Sequence, residues 1–240
     1  MIPDWLNRSL ILLGEENLLK LQKAHVLVVG LGGVGAYAAE MIVRTGVSNL
    51  TLVDGDRIEA SNRNRQLIAL SSNQNIYKTQ CLKERFLDIN PDATINIVSE
   101  FIRDDRINEI LDSANYDYLI DAIDTLSSKV HLIIGALERN IPLVSAMGAG
   151  GKLNSLSIEI SDISKTYQCP LAAAVRKRLK QKGINNGFKA VFSTEKISKN
   201  AFIADSTNEN KASIVGSISY LPAIFGCHCA AVCINDLLKT

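Results

Sequence analysis

The glycine-rich turn at residues 30–35 constrains the fold of this 240-residue chain more than any other feature. A continuous apolar run at 25–29 leads into Gly30-Leu-Gly-Gly-Val-Gly35, and a segment suited to a helix follows at 36–44. A second apolar run at 50–53 ends at Asp54. Strand, glycine turn, helix and strand within about 30 residues form a βαβ unit, which places both strands in a buried parallel sheet.

The same alternation continues along the chain. Further strands are predicted at 95–98, 118–120 and 143–145, with helices at 15–23, 79–87 and 128–139. This alternation predicts an α/β fold, Rossmann-like and doubly wound, with a mainly parallel sheet.

The pattern weakens after residue 151. There we expect strands at 156–160 and 190–192, a basic helix at 171–182 and a flexible crossover loop at 193–213. No internal repeat interrupts the chain, so we expect one domain over 1–240. Its nucleotide-binding part covers about 15–150, and a C-terminal extension over about 151–240 shapes the substrate site.

Composition and charge exclude several classes of protein. Hydrophobic residues make up 47%, and 26 Lys and Arg balance 25 Asp and Glu. The chain is therefore neither disordered nor a polycation, and any nucleic-acid surface must be a local patch.

The first residues lack the pattern of a signal peptide. The apolar stretch 218–238 is interrupted by Pro222, Gly226 and His228, so we expect a partly buried helix, no stable membrane insertion and a cytoplasmic location.

The five cysteines do not form a recognisable framework. Their number is odd and no Cys-x-x-Cys pair occurs, which argues against disulfides and a four-cysteine zinc site. Cys227, Cys229 and Cys233 are close enough to suggest a metal site, but we predict core packing for them. Cys169 has two interpretations: a half-buried residue before a helix, which we favour, or a thiol that accepts an acyl group.

The glycine turn also predicts a nucleotide site. Gly30, Gly32 and Gly35 fit G-x-G-x-x-G, and Asp54 stands where a carboxylate binds ribose hydroxyls. Alone, this motif is typical of NAD(P) or FAD enzymes. The cations Arg63, Arg65 and Lys78 and the amides of Asn62 and Asn64 follow it, however, and such a group predicts a triphosphate.

A further acid, Asp124, comes just after the strand predicted at 118–120. It is placed for a magnesium ion or a ribose, because ligands bind at the carboxyl ends of such strands. Asp121 is closer to the strand, and we expect it to be structural.

These motifs together resemble the ubiquitin-activating-like adenylyltransferases of the ThiF/MoeB/HesA type. The resemblance rests on residues 28–35, 52–56, 61–66, Lys78 and 121–124. It implies a homodimer that uses Mg-ATP to adenylate a carboxylate. The implied ATP-binding residues are Gly30, Gly32, Gly33, Gly35, Asp54, Asp56, Asn62, Arg65, Lys78 and Asp124.

The resemblance also implies individual roles. Asp54 takes the ribose, Lys78 stabilises the transferring α-phosphoryl group, and Asp124 positions Mg²⁺. Gly33 lines the phosphates, which Asn62 and Arg65 hold. Arg8 matches an arginine that the family inserts from the partner subunit, and it completes the catalytic set with Arg65, Lys78 and Asp124.

The C-terminal part resembles one branch, the tRNA threonylcarbamoyladenosine dehydratases, through segments 147–152, 162–171, 176–182, 191–195 and 216–222. That branch activates the threonine carboxylate of the modified adenosine and closes it into a ring with loss of water. We therefore expect tRNA contacts from the basic segment, whose cations are Arg176, Lys177, Arg178, Lys180 and Lys182. A cysteine desulfurase or sulfur-acceptor system is a candidate partner.

Three alternatives stay open. An activator of a ubiquitin-like sulfur carrier would adenylate the C-terminal glycine of a protein, but the zinc-binding Cys-x-x-Cys pairs common in such enzymes are missing here. A nicotinamide oxidoreductase would not need the phosphate-facing cations. A non-catalytic nucleotide-binding scaffold would not need the complete ligand set.

Overall fold

The structure is a computed structural model that describes residues 2–204 and 213–239. Its main sheet has seven strands, and a separate two-stranded sheet accompanies it. The strands are β1 (His25–Val29), β2 (Asn49–Val53), β3 (Thr94–Val98), β4 (Tyr118–Asp121), β5 (Leu143–Ala146), β6 (Ile158–Asp162), β7 (Lys189–Ser193), β8 (Phe202–Ala204) and β9 (Ser213–Val215).

Helices cover both faces of the main sheet. They are α1 (Asn7–Leu13), α2 (Glu15–Lys23), α3 (Gly35–Arg44), α4 (Lys78–Ile89), α5 (Asp105–Asp112), α6 (Leu126–Glu138), α7 (Pro170–Lys180) and α8 (Tyr220–Lys239). Buried residues of α2, α3, α4 and α8 form the core on one face, and those of α5, α6 and α7 form the core on the other. The predicted doubly wound α/β fold is confirmed.

The order of the strands is β3-β2-β1-β4-β5-β7-β6, and every neighbouring pair is parallel except β6 with β7. The order reverses between β1 and β4, so a crevice opens there at the carboxyl ends of the strands. We call this edge of the sheet the carboxyl edge. The residues that follow β1, β2, β4 and β5 all meet along it.

Three expectations for the C-terminal part need correction. The strand expected at 156–160 is Ile158–Asp162, because the Asn154 side chain accepts the Leu156 N–H and closes a short turn first. The helix expected to reach residue 182 ends at Lys180, where Gly183, with a φ of 78°, allows the chain to turn. The expected loop at 193–213 contains β8, which pairs with β9; residues 205–212 of that expectation lie outside the described residues.

Helix α8 lies directly against α3, the helix that begins at the glycine turn. A Cβ on Gly226 would lie 2.4 Å from the Val34 carbonyl oxygen and 2.8 Å from Tyr37 Cβ, so only glycine permits this approach. By length and composition α8 could cross a membrane, and half of its apolar window is buried inside the protein. The partly buried helix expected over 218–238 is therefore confirmed.

Candidate active site

The turn after β1 approaches the neighbouring backbone too closely for side chains. Gly30 has a φ of 87°, and a Cβ there would lie 2.7 Å from the carbonyl carbon and oxygen of Ala122, just after β4. A Cβ on Gly35 would lie 1.7 Å from the Gly30 oxygen. The glycines thus let the turn fold tightly at the start of α3, whose N-terminus favours negative charge.

Asp54, directly after β2, holds the glycine turn through a hydrogen bond. Its Oδ2 accepts the Leu31 N–H at 2.6 Å, and its Oδ1 accepts the Asp56 N–H at 2.7 Å. Burial raises the pKa of Asp54 above its usual range, because it outweighs the opposing effects of Lys78 and these N–H groups. The carboxylate lies beside the crevice, at the position where this fold class binds ribose.

Lys78, the first residue of α4, reaches the same place. Its Nζ lies 2.6 Å from Asp56 Oδ2 and 3.9 Å from Asp54 Oδ1. The lysine is only 3% exposed, whereas the Asp56 side chain is half exposed. The structure therefore brings together three of the predicted site residues.

The segment 60–66 packs against the glycine turn from the other side. A Cβ on Gly33 would lie 3.3 Å from the Arg65 carbonyl oxygen and 3.0 Å from Pro222 Cβ of α8. The Arg65 guanidinium donates to the Ser61 carbonyl and to Asn64 Oδ1. Asn62 is buried; its Oδ1 accepts the Glu59 N–H, and its Nδ2 has only a 3.4 Å contact to Ser61 Oγ.

Gln66 was missed at the sequence level. Among the described residues, its Oε1 is the one buried side-chain oxygen or nitrogen without a hydrogen-bond partner. Its Nε2 lies 3.8 Å from where a Gly32 Cβ would stand. A buried amide without a partner is costly unless something else satisfies it. In the sequence, the feature that could have pointed to Gln66 is its position directly after Arg65.

These groups fit a nucleotide triphosphate. The glycine turn provides room for backbone to approach a phosphate, and Arg65 and Lys78 provide positive charge nearby. Asp124 is exposed in the loop after β4, where Thr125 Oγ1 lies 3.4 Å from its Oδ1. A carboxylate at that place suits a Mg²⁺ ion held beside phosphates. Asp121, by contrast, is fully buried at the end of β4, in keeping with a structural role.

Arg8 lies away from this group. It is exposed on α1, and Leu6, two residues earlier, packs against Gly46 just beyond the end of α3 that is farther from the glycine turn. Helix α3 has ten residues, about 15 Å at 1.5 Å per residue. Within one chain, Arg8 is therefore separated from the other predicted catalytic residues.

The predicted tRNA-binding cations lie on α7 and just beyond it. Lys177, Arg178, Lys180 and Lys182 are exposed, whereas Arg176 is partly buried and its guanidinium donates to Thr166 Oγ1. Helix α7 begins near Gly148, at the carboxyl edge, and its end leads toward the first residue of β7. The basic end of α7 is therefore about one helix length from the carboxyl edge.

Core packing, predicted for three cysteines of α8, is confirmed for Cys229 and Cys233 and wrong for Cys227, which is exposed because it lies on the helix side that faces away from α3 and the sheet. Cys229 and Cys233 are buried in α8, and burial raises the pKa of the Cys229 thiol to about 12. Cys169 is 3% exposed at the N-terminus of α7. No group of three or more His, Cys, Asp or Glu side chains in the described part of the chain is arranged to hold a metal ion.

Fold and site together define a doubly wound α/β protein of the nucleotide-binding class, with the cations Arg65 and Lys78 near its glycine turn. The chain belongs to the ThiF family, whose model matches residues 6–240. It is 36% identical over 240 residues to a tRNA threonylcarbamoyladenosine dehydratase of Bacillus subtilis, covering 97% of this chain and 94% of the relative.

Structural similarity points to the same branch. The crystal structure of Escherichia coli tRNA N6-threonylcarbamoyladenosine dehydratase in complex with ATP matches with a TM-score of 0.90 and 34% identity, covering 100% of this chain and 97% of that one. An adenylyltransferase and sulfurtransferase of Drosophila willistoni is 33% identical over only 141 residues, 58% of this chain and 30% of the relative. Similarity to the dehydratases thus extends through the C-terminal part.

Proposed function

We propose that this protein is an ATP-dependent tRNA threonylcarbamoyladenosine dehydratase. It adenylates the threonine carboxylate of threonylcarbamoyladenosine beside the tRNA anticodon with release of pyrophosphate, and a nucleophile of the modified base then displaces AMP to close the ring. The observation that carries this proposal is the convergence of Asp54, Lys78 and Arg65 on the glycine turn. Similarity to the dehydratases over almost the whole chain supports the choice of substrate.

The residues of the crevice account for activation of the carboxylate. A carboxylate and the α-phosphate of ATP repel each other, and fixed cations lower that cost while they orient the attack. Lys78 gives up its ion pair with Asp56 and binds the α-phosphate. Arg65 and Asn62 hold the outer phosphates. Asp54 takes the ribose. Asp124 is the ligand for Mg²⁺, which when bound neutralises phosphate charge.

Ring closure needs no nucleophile from the protein. The acyl-adenylate is a mixed anhydride, and the attacking atom belongs to the modified base itself. The burial of Cys169 is consistent with this, because a thiol that accepts an acyl group must reach the substrate. Activation of a sulfur-carrier protein is the competing function; it would require a stable complex with a small protein ending in Gly-Gly.

The active enzyme in this proposal is a homodimer in which Arg8 of one protomer completes the other protomer's site. Helix α1 buries none of its own residues, and Ile11 and Leu12 are 78% and 83% exposed. Within the described residues the Arg8 side chain makes no hydrogen bond or ion pair. In the dimer, the interface between the two protomers would cover the exposed residues of α1. Arg8 of each protomer would then add a positive charge to the active site of the other.

A mixing experiment tests the shared site. Arg8→Ala and Lys78→Ala proteins should each be inactive, because each lacks one catalytic cation. After subunit exchange, each mixed dimer regains one site with both residues, so about a quarter of wild-type activity should return. A mixture as inactive as its components would exclude the trans arrangement.

The decisive test of function is analysis of the nucleosides. Threonylcarbamoylated tRNA is incubated with the protein and Mg-ATP, digested and examined by mass spectrometry. The proposal expects an adenosine derivative lighter by one water, formed only with ATP and accompanied by AMP. An unchanged nucleoside without AMP would refute the substrate assignment, and pyrophosphate exchange with Gly-Gly-tailed carrier proteins would then test the alternative. We place the enzyme in the cytoplasm, where tRNA is available.

A further inference from the structure

A buried ion pair lies directly beneath the loop that carries Asp124. Lys129 Nζ and Asp121 Oδ2 are 2.8 Å apart, and both side chains are fully buried. Asp121 ends β4 and Lys129 lies in the first turns of α6. The pair therefore connects the two ends of the loop 122–125 from below.

The remaining hydrogen bonds of this pair hold the backbone of the same loop. Lys129 Nζ donates to the Ile123 carbonyl at 3.0 Å, and Asp121 Oδ1 accepts the Ile123 N–H at 3.0 Å. Ser145 of β5 donates to Asp121 Oδ2 at 2.6 Å. Both polar backbone groups of Ile123 are thus fixed by the pair, immediately before Asp124.

The loop also supports the glycine turn. The Ala122 N–H donates to the Val29 carbonyl at 2.8 Å, and a Cβ on Gly30 would meet the Ala122 carbonyl at 2.7 Å. Any shift of the Ala122–Ile123 backbone would therefore move the glycine turn and Asp124 relative to each other.

Stability alone does not explain this arrangement. Desolvation offsets most of the attraction within a buried ion pair, and apolar residues of similar volume often serve stability equally well. Instead, Asp121 and Lys129 direct their hydrogen bonds to the backbone of one short loop. Residues that surround a metal site orient the ligands of the metal ion in the same way.

We propose that Lys129 and Asp121 are positioning residues that hold Asp124 and the glycine turn in register for a Mg²⁺–triphosphate complex. The inference rests on the proposed function, because it takes Mg-ATP as the ligand. Neither residue touches the nucleotide. Their action passes through the Ile123 backbone.

The test removes both charges while preserving volume, with the double variant Asp121→Asn/Lys129→Met. Binding of a non-hydrolysable ATP analogue is measured by calorimetry over a range of Mg²⁺ concentrations. We expect half-maximal binding to need about tenfold more Mg²⁺ than in the wild type, since losses of about 10–100-fold are usual when outer-shell partners of a metal are removed. Affinity without Mg²⁺ should change little.

A second ion pair of the chain provides the control. Glu40 is buried in α3 and its carboxylate accepts two hydrogen bonds from the Arg85 guanidinium, away from the Asp124 loop. The double variant Glu40→Gln/Arg85→Met loses an ion pair whose carboxylate is buried and whose arginine is 42% exposed, and it should keep the wild-type Mg²⁺ dependence. Equal Mg²⁺ dependence in all three folded proteins would overturn the proposal.

A milder variant keeps the test decisive if the double variant fails to fold. Ser145→Ala removes one bond to Asp121 and leaves both charges paired. It should also shift the Mg²⁺ dependence upward, and an unchanged dependence would again overturn the inference. Failure of the proposed function would look different: the wild-type protein itself would not bind the ATP analogue.

Discussion

The ammonium group of Lys78 is 2.6 Å from the Asp56 carboxylate, and that carboxylate is half exposed while the lysine is buried. Asp56 therefore holds a buried positive charge at the mouth of the crevice. A phosphate that enters the crevice competes with Asp56 for the same ammonium group.

Removal of this ammonium should abolish adenylation without unfolding the protein. For Lys78→Met we expect a loss of about 10²–10³-fold in kcat, the usual cost of a group that stabilises transition-state charge. AMP release with modified tRNA measures the effect. Lys83→Met, on the same helix, is the matched control and should remain active; a Lys78→Met enzyme with near-normal turnover would remove Lys78 from the site.

The raised pKa of Asp54 gives nucleotide binding a specific pH dependence. Ribose hydroxyls donate to the ionised carboxylate, and burial raises the pKa of Asp54 above its usual range. ATP affinity should therefore fall on acidification at a higher pH than an exposed aspartate would cause. Calorimetric titration of ATP across the acidic range measures this. Asp54→Asn should bind weakly at every pH, and a variant that kept the wild-type pH profile would contradict the assignment.

The close approach of α8 and α3 predicts a large effect of a small substitution. In Gly226→Ala the new methyl would lie 2.4 Å from the Val34 oxygen, with the Ala38 nitrogen 2.9 Å away, so backbone must move. We expect a destabilisation of about 1–3 kcal/mol from overpacking, measured as a lower midpoint in urea unfolding. At Gly148 the nearest atom would be 3.9 Å away, and Gly148→Ala should leave the midpoint unchanged.

The exposed cations of α7 should contribute to tRNA affinity and not to ATP affinity. Charge reversal at Lys177, Arg178 and Lys180 is expected to weaken tRNA binding by at least about tenfold and to reduce its salt dependence. Reversal at Lys20 and Lys23, on a helix packed against the other face of the sheet, is the control. Filter binding at several salt concentrations compares them, and equal tRNA affinity would reject α7 as the RNA surface.

Cys169 should prove dispensable. It lies buried before α7, where serine is also accepted as an N-terminal cap, so Cys169→Ser should retain kcat within about threefold. Detection of a labile acyl-enzyme in the wild type, absent from the serine variant, would instead favour the thioester mechanism of a sulfur-carrier activator.

Strands β1, β2 and β4 were predictable because each is a largely apolar run that ends at a glycine or an acid: Gly30, Asp54 and Asp121. The strand β1 was located without error, and β2, β3, β4 and β5 within one residue. Such runs arise because both faces of these strands are buried. Their carboxyl ends, and hence Asp54 and Asp124, follow from the topology.

Other features depend on contacts that a sequence does not display. Helix α1 carries four consecutive apolar residues at 10–13 and buries none of its residues, so its sequence lacks the helical alternation of apolar and polar positions that marks a helix packed on a core. The short strands β8 and β9 pair only with each other. The ion pair of Lys129 with Asp121 appears only once the loop between β4 and α6 is folded, and the buried Gln66 Oε1 without a partner appears only once the segment after β2 is packed.

The packing of α8 on α3 has a consequence for the synthesis of the protein. The glycine turn is synthesised well before Pro222 and Gly226, which pack against it and its helix. Until then the apolar side of α3 lacks its cover and is exposed to aggregation. A nascent chain interrupted before α8 should therefore depend on chaperones and be a preferred substrate for proteolysis, so the nucleotide site becomes functional only after α8 has been synthesised.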